Sequence, residues 1–250
     1  MIKLVVITTI NSLDQIPMML ASCKKYGIDI KPYGLGRGYC SWADMKIIWT
    51  IPVLEEYANT YSHVLYTDSR DAFFTDTLQR VTGEYDLLGQ PECLVSAEKA
   101  CNPDTQYTNN YPDPGTPYRF PCVGGYIGEI PYMLEAFKHM ATYRDRSGDD
   151  AAIWQWAYDA GWFRPQIDTG CSIFQTMSGN ASSDLEVANE IYLGSTEEEL
   201  SLMSLRNKLT RSYPCLLHFN GGYSDAVTGK FDMMLPWWKK IHPEIDLEAK

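Results

Sequence analysis

Asp68-Ser69-Arg70-Asp71, directly after the apolar run Val64 to Thr67, offers two carboxylates three positions apart. A buried strand ending this way delivers both to the carboxyl edge of a sheet, the edge at which α/β folds bind ligands. Hard oxygen donors there suit Mg2+ or Mn2+, ions that hold a diphosphate. The same pattern also serves as a turn and the N-cap of a helix. Far along the chain, Leu216-Leu217-His218-Phe219-Asn220-Gly221-Gly222 carries one imidazole into a turn. With the two carboxylates it would complete a Mn2+ shell that leaves positions for phosphate oxygens. Taken alone, a histidine buried at a strand end is the plainer reading. Gly124-Gly125 lets backbone come close to a ligand, or marks a bulge. Asp149 and Asp150 favour the macrodipole of a helix they open, and could also grip hydroxyls or take a proton from one. Trp154, Trp156 and Trp162 read as core, with a sugar-ring platform as the second use.

These groups need a sheet to hold them. Leu4 to Thr9 is the apolar, β-branched run of a strand buried on both faces, and Leu13 to Tyr26 reads as a helix. A glycine-rich loop over residues 34–41 precedes helical spacing from Met45 to Ala58 despite Pro52. Val64 to Thr67 is a second buried strand. The spacing then predicts a helix from Thr75 to Val81, strands at Tyr85 to Leu88 and Leu94 to Ala97, and a long surface loop over residues 101–121. Helices follow from Pro131 to Tyr143 and from Asp149 to Ala160. Ile173 to Met177 and Leu216 to Phe219 read as short strands, and residues 195–211 as a solvated amphipathic helix. Alternating strands and helices predict one α/β domain over 1–250, with a mostly parallel sheet and a loop-rich second half.

Composition bounds the function. Lys plus Arg number 21 against 32 Asp plus Glu, a net charge of −11, which argues against a nonspecific grip on nucleic acid or an anionic membrane. Hydrophobic residues make up 45%, as in ordinary globular chains, and no run reaches the ~18 apolar residues of a membrane span. MIKLVVITTI reads as a first strand rather than a signal peptide. The seven cysteines are scattered without metal-ligand spacing, so reduced thiols and a cytoplasmic location are expected. The sequon Asn180-Ala181-Ser182 carries little weight.

Taken in order, VVITT, GLGRGY, the Lys46 helix ending EEYA, YTDSRDAFF, SAEKACNPD, GGYIG, GDDAAIWQWAY, IDTGCSIFQ and LLHFNGG form one collinear series across nearly the whole chain. The series resembles the glycosyltransferase domain of the procollagen lysyl hydroxylases and the related collagen glycosyltransferases. The resemblance implies a GT-A, Rossmann-type nucleotide-sugar fold, a UDP-sugar donor and Mn2+. It makes Asp68, Asp71 and His218 the metal ligands, and places Thr8 and Thr9 against the uridine, Tyr39 on the base, and Lys46 near the donor. Asn220 and Gly221 match the diphosphate-side turn. Asp149 and Asp150 fall on an aspartate run lining the sugar and acceptor pocket, and Asp168 aligns with no role assigned.

Departures fall toward the acceptor: Asn102 stands where the family has tryptophan, the aspartate run is shortened to two, and Ala151 replaces glutamine. The only His-x-Glu, at His242-Pro243-Glu244, has no second histidine after it to complete an iron triad, so lysyl hydroxylation is not expected. The expectation is a Mn2+-dependent transfer of glucose or galactose from a UDP-sugar to a hydroxyl-bearing glycan or protein, a hydroxylysine-linked glycan among the candidates. The rivals are a catalytically silent UDP-sugar or glycan binding domain and a metal-dependent phosphohydrolase.

Overall fold

The computed structural model describes residues 2–178, 181–189, 203–221 and 228–247. Its central sheet contains β1 (Leu4–Thr9), β2 (Ile30–Tyr33), β3 (His63–Thr67), β5 (Cys93–Glu98), β6 (Phe120–Glu129) and β7 (Gln166–Ile167), in the order β2-β1-β3-β6-β5-β7. Pairing is parallel except along β6, which runs antiparallel to both neighbours. A smaller sheet, β4-β11-β8, brings together β4 (Ala72–Phe74), β8 (Phe174–Thr176) and β11 (Leu216–His218). Side chains alternate across β1, so Val5 and Ile7 join Tyr66, Tyr126 and Trp154 in one core, while Val6 joins Leu65, Phe74 and Phe174 in another.

Helices close the faces. α1 (Pro17–Tyr26) carries proline at its start and ends on Gly27 at φ +65°, a left-handed cap that glycine takes without strain. A π-helical turn, Asp44–Ile48, leads into α2 (Thr50–Tyr57). Pro52 lies in the first turn of α2, where a missing N–H costs little. The remaining α-helices among the described residues are α3 (Leu78–Leu87), α4 (Ile130–Met140), α5 (Asp150–Asp159) and α6 (Thr228–Ile241). Among the described residues no helix is long and apolar enough to cross a membrane.

Several expectations are corrected. Tyr85 to Leu88 is no strand: the Thr77 side chain caps α3 by accepting from the Arg80 N–H, and Val81 and Tyr85, one turn apart, both face the core. The helix proposed over 195–211 is replaced in its second half by β10 (Met203–Asn207), paired antiparallel with β9 (Leu185–Asn189), because cross-strand pairing overrides the amphipathic spacing; 195–202 lies outside the described residues. The 101–121 loop contains a 3-10 segment, Thr105–Asn110, and hands over to β6 at Phe120. Asn180 of the sequon and Gly222 also lie outside the described residues. His242 is fully buried, with Nε2 3.1 Å from the Phe74 carbonyl and its ring 4.3 Å from that of Trp238, and burial brings its pKa down to about 4. It packs α6 against β4.

Candidate functional site

Two strand registers build the site. β3 ends at Thr67, beside Gly125 of β6, and the Asp68 N–H donates to the Gly124 carbonyl at 2.7 Å. β11 pairs with β4 so that His218 faces Ala72, and the Phe219 N–H donates to the Asp71 carbonyl at 2.7 Å. These two ties bring residues from three distant segments to one edge. One ligand atom from each of Asp68, Asp71 and His218 lies within 4.8 Å of the others. His218 Nε2 is 3.5 Å from Asp71 Oδ1 and 3.7 Å from Asp68 Oδ2. Two carboxylates and an imidazole converging at this spacing, with Asp71 and His218 buried and Asp68 partly open to solvent, fit a divalent cation.

Gly124 leaves the room for that cluster. A Cβ there would lie 2.1 Å from His218 Cε1 and 2.7 Å from Asp68 Oδ2. The Gly124-Gly125 pair lies at the bulge its sequence suggested, where the register of β6 with β5 shifts between Val95 and Ser96, and the backbone there comes close to the His218 and Asp68 side chains.

A second layer fixes the ligands. Tyr66 OH donates to Asp68 Oδ1 at 2.8 Å, and Lys46 Nζ donates to Asp68 Oδ2 at 2.7 Å. Lys46 also reaches Asp150 Oδ2 at 3.4 Å, while Cys122 Sγ lies 3.6 Å from His218 Nδ1. A partner at Nδ1 orients the ring that presents Nε2 to the ligand cluster. Burial pulls the His218 imidazole down, but the adjacent Asp71 carboxylate outweighs it and holds the pKa well above the ordinary value. Burial pushes the Asp150 carboxyl up, opposed by the Lys46 ammonium. Lys46 is itself held firmly charged, because Asp150 and Asp68 together overcome the effect of its burial.

Beneath the His218 turn, Asn220 Nδ2 and Asn102 Nδ2 both donate to Glu98 Oε2, at 2.9 and 3.2 Å. Burial raises the Glu98 carboxyl to about 7 from 4.5, with the two amides pulling the other way. The folded state therefore keeps a proton that the unfolded chain has released, and this contribution to stability is lost as pH rises from about 4.5 through about 7. Glu98→Gln removes the ionisation. Urea unfolding should show the variant gaining roughly 2 kcal/mol on the wild type between about pH 5 and about pH 8. Parallel curves for the two proteins would refute the buried-carboxylate assignment.

Of the residues singled out from sequence, Lys46, Asp68, Asp71, Asp150 and His218 come together. Asp149 stands at the edge as the N-cap of α5, its Oδ1 accepting the Ala151 N–H at 2.9 Å. Tyr39 is 62% exposed and packs edge-on to Trp42, whose ring lies 5.1 Å from Lys46 Nζ. Thr8 is fully buried and spends its hydroxyl on Ser69 Oγ at 2.8 Å, bracing the turn between the two aspartates, and Thr9 is nearly buried beside it. Asn220 is buried under the His218 turn, and Gly221 follows at φ +111°, a backbone region that favours glycine. Asp168 gains a structural role: its carboxylate accepts the N–H groups of Ser172, Ile173 and Phe174 at 2.9 to 3.0 Å, which shapes the entry to β8. Sequence reasoning missed Tyr66, Cys122 and Glu98. Tyr66 was findable, since residues i and i+2 of a strand share a face and it stands two before Asp68. Cys122 and Glu98 carried no local signal.

Comparison with known proteins places these features in a wider set. A family model described as the PLOD GT domain matches residues 2–230. A multifunctional procollagen lysine hydroxylase and glycosyltransferase LH3 from Rattus norvegicus is 24% identical over 231 residues, covering 88% of this chain and 30% of that protein. A procollagen-lysine,2-oxoglutarate 5-dioxygenase from Drosophila melanogaster is 26% identical over 215 residues, 81% of this chain and 28% of that protein. The chain thus spans less than a third of the length of these curated relatives. A crystal structure of a glycosyltransferase involved in the glycosylation of the major capsid of PBCV-1 superposes with a TM-score of 0.57 at 10% identity, covering 94% of this chain and 99% of that one. That likeness establishes a GT-A-like α/β fold.

Proposed function

Because the chain belongs to the PLOD GT domain family, a family of glycosyltransferase domains, we propose that it transfers a hexose, glucose or galactose, from a UDP-sugar to a hydroxyl-bearing glycan or protein with Mn2+ as cofactor. The observation that carries this reading is the Asp68–Asp71–His218 cluster with its Gly124 cradle at the carboxyl edge of β3. Residues 1–250 then act as one glycosyltransferase domain. Seven cysteines without a disulfide support a reducing, cytoplasmic setting.

The roles follow from position. Asp68, Asp71 and His218 would hold the cation, and a bound Mn2+ supplies the Lewis acid that makes a nucleoside diphosphate a competent leaving group. Tyr66 and Cys122 keep Asp68 and His218 aimed at it. Asp150, at 6% exposure and within reach of Lys46, is the carboxylate placed to orient the acceptor hydroxyl or take its proton, whereas Asp149 is committed to capping α5. The exposed Tyr39 and Trp42 pair offers aromatic faces beside Lys46 for the base of the donor. In this reading the Asn220–Gly221 turn, next to His218 in the chain, would face the diphosphate. The net charge of −11 agrees with partners other than nucleic acid.

Incubation with UDP-, GDP- and CMP-sugars, with Mn2+ or with chelator, followed by mass spectrometry of the nucleotide products, tests the proposal. Mn2+-dependent release of UDP and free hexose from one or two UDP-hexoses is expected. Release of UMP plus sugar phosphate would instead make it a phosphohydrolase, and UDP binding without any release would make it a binding domain.

A further inference from the structure

The geometry points to Lys46 as a built-in counterion that competes with the divalent cation for Asp68 Oδ2, so that this site binds metal less tightly than its three ligands alone would. The inference rests on the metal and donor reading above and adds how cation binding is regulated by the chain's own charge. The ammonium lies 2.7 Å from Asp68 Oδ2, the same oxygen that faces His218 Nε2 at 3.7 Å. It therefore stands on the side of the carboxylate that belongs to the ligand cluster. The other oxygen, Oδ1, already accepts from Tyr66 OH at 2.8 Å. Both oxygens of Asp68 thus have resident donors, and a cation must share or displace one of them.

Lys46 is the displaceable partner. Its alternative acceptor, Asp150 Oδ2, is already 3.4 Å away, so a small movement of Nζ keeps the ammonium paired within the site. It has little path outward: the side chain is 11% exposed, and the Trp42 ring lies 5.1 Å from Nζ. Its backbone is fixed in the π-helical turn Asp44–Ile48, where Thr50 Oγ1 donates to the Lys46 carbonyl at 2.8 Å. π-helical turns of this kind occur often at functional sites. A retained positive charge repels an incoming divalent cation across a partly dry space, and an added diphosphate would relieve that repulsion. Metal and donor would then bind as a pair, with Lys46 carrying part of the coupling.

Titration calorimetry with Mn2+, alone and with saturating UDP, tests this on the wild type, Lys46→Met, Lys46→Gln and Lys46→Arg, with thermal melts to show that each is folded. Met and Gln remove the charge in two different ways, so either one that folds decides the matter. The charge-removing variants should bind Mn2+ alone more tightly, on the order of tenfold, and gain less from UDP, while Lys46→Arg stays near the wild type. A lysine that merely supported the ligands would give the opposite sign. Equal or weaker Mn2+ binding in the folded Met or Gln variant overturns the inference and leaves the proposed function standing. A wild type that binds no Mn2+ with or without UDP overturns both.

Discussion

Asp71→Ala and Asp68→Ala should each lower metal-dependent hexose transfer by at least about a thousandfold, a loss of several kcal/mol of charge stabilisation. Asp71 is the more severe case. It is 6% exposed and holds the raised His218 imidazole by its charge, so its removal takes away one ligand and the partner of another. Asp68→Ala also strands Tyr66 OH and releases Lys46 toward Asp150. Steady-state assays of UDP release, paired with Mn2+ titration, check the result. Full turnover in both variants would remove the cluster from the active site.

Gly124→Ala should cost more than a methyl group usually does. The added Cβ would overlap the His218 ring at 2.1 Å and crowd Asp68 Oδ2 at 2.7 Å, so either His218 turns away or β6 separates from β3. His218 is buried, with Cys122 at its other nitrogen, and has little room to turn. Mn2+ affinity should fall on the order of a hundredfold, comparable to the loss of a supporting residue around a metal. Gly125→Ala is the matched control. Its Cβ would meet Phe174 Cδ1 at 2.9 Å, in the core, and should cost about 1–3 kcal/mol of stability through overpacking while metal binding persists. Calorimetry with Mn2+ and urea unfolding on the two variants separate these outcomes. Equal Mn2+ affinity in Gly124→Ala and the wild type would show that the cradle is not needed.

Much of this was legible in the residues. The strands at Leu4–Thr9 and His63–Thr67 announce themselves by β-branched and apolar runs. The Asp68 and Asp71 pair follows the second of them, and collinear motifs add the family. The misreadings share a cause. Tyr85 to Leu88 is apolar enough for a strand, but Val81 and Tyr85 recur at a helical interval and Thr77 caps the start. Residues 195–211 space their leucines like a helix, yet Met203–Asn207 within them pairs as a strand with β9. Short apolar runs fit either period, and the neighbour they pack against decides.

The sequence by itself determined the element types along its clearest runs, the two aspartates at a strand end, the histidine at the other end of the chain, and the acidic balance. Only the tertiary structure decided that these meet. His218 reaches Asp71 through the β4–β11 register, and Gly124 reaches Asp68 through the β3–β6 register. It also decided that Asp150 rather than Asp149 faces Lys46, and that Glu98 and Cys122 support the His218 turn and ring. The physical reason is that strand pairing carries chemistry across long chain separations, while the residues that receive it, a glycine, a tyrosine, a cysteine, look ordinary where they stand.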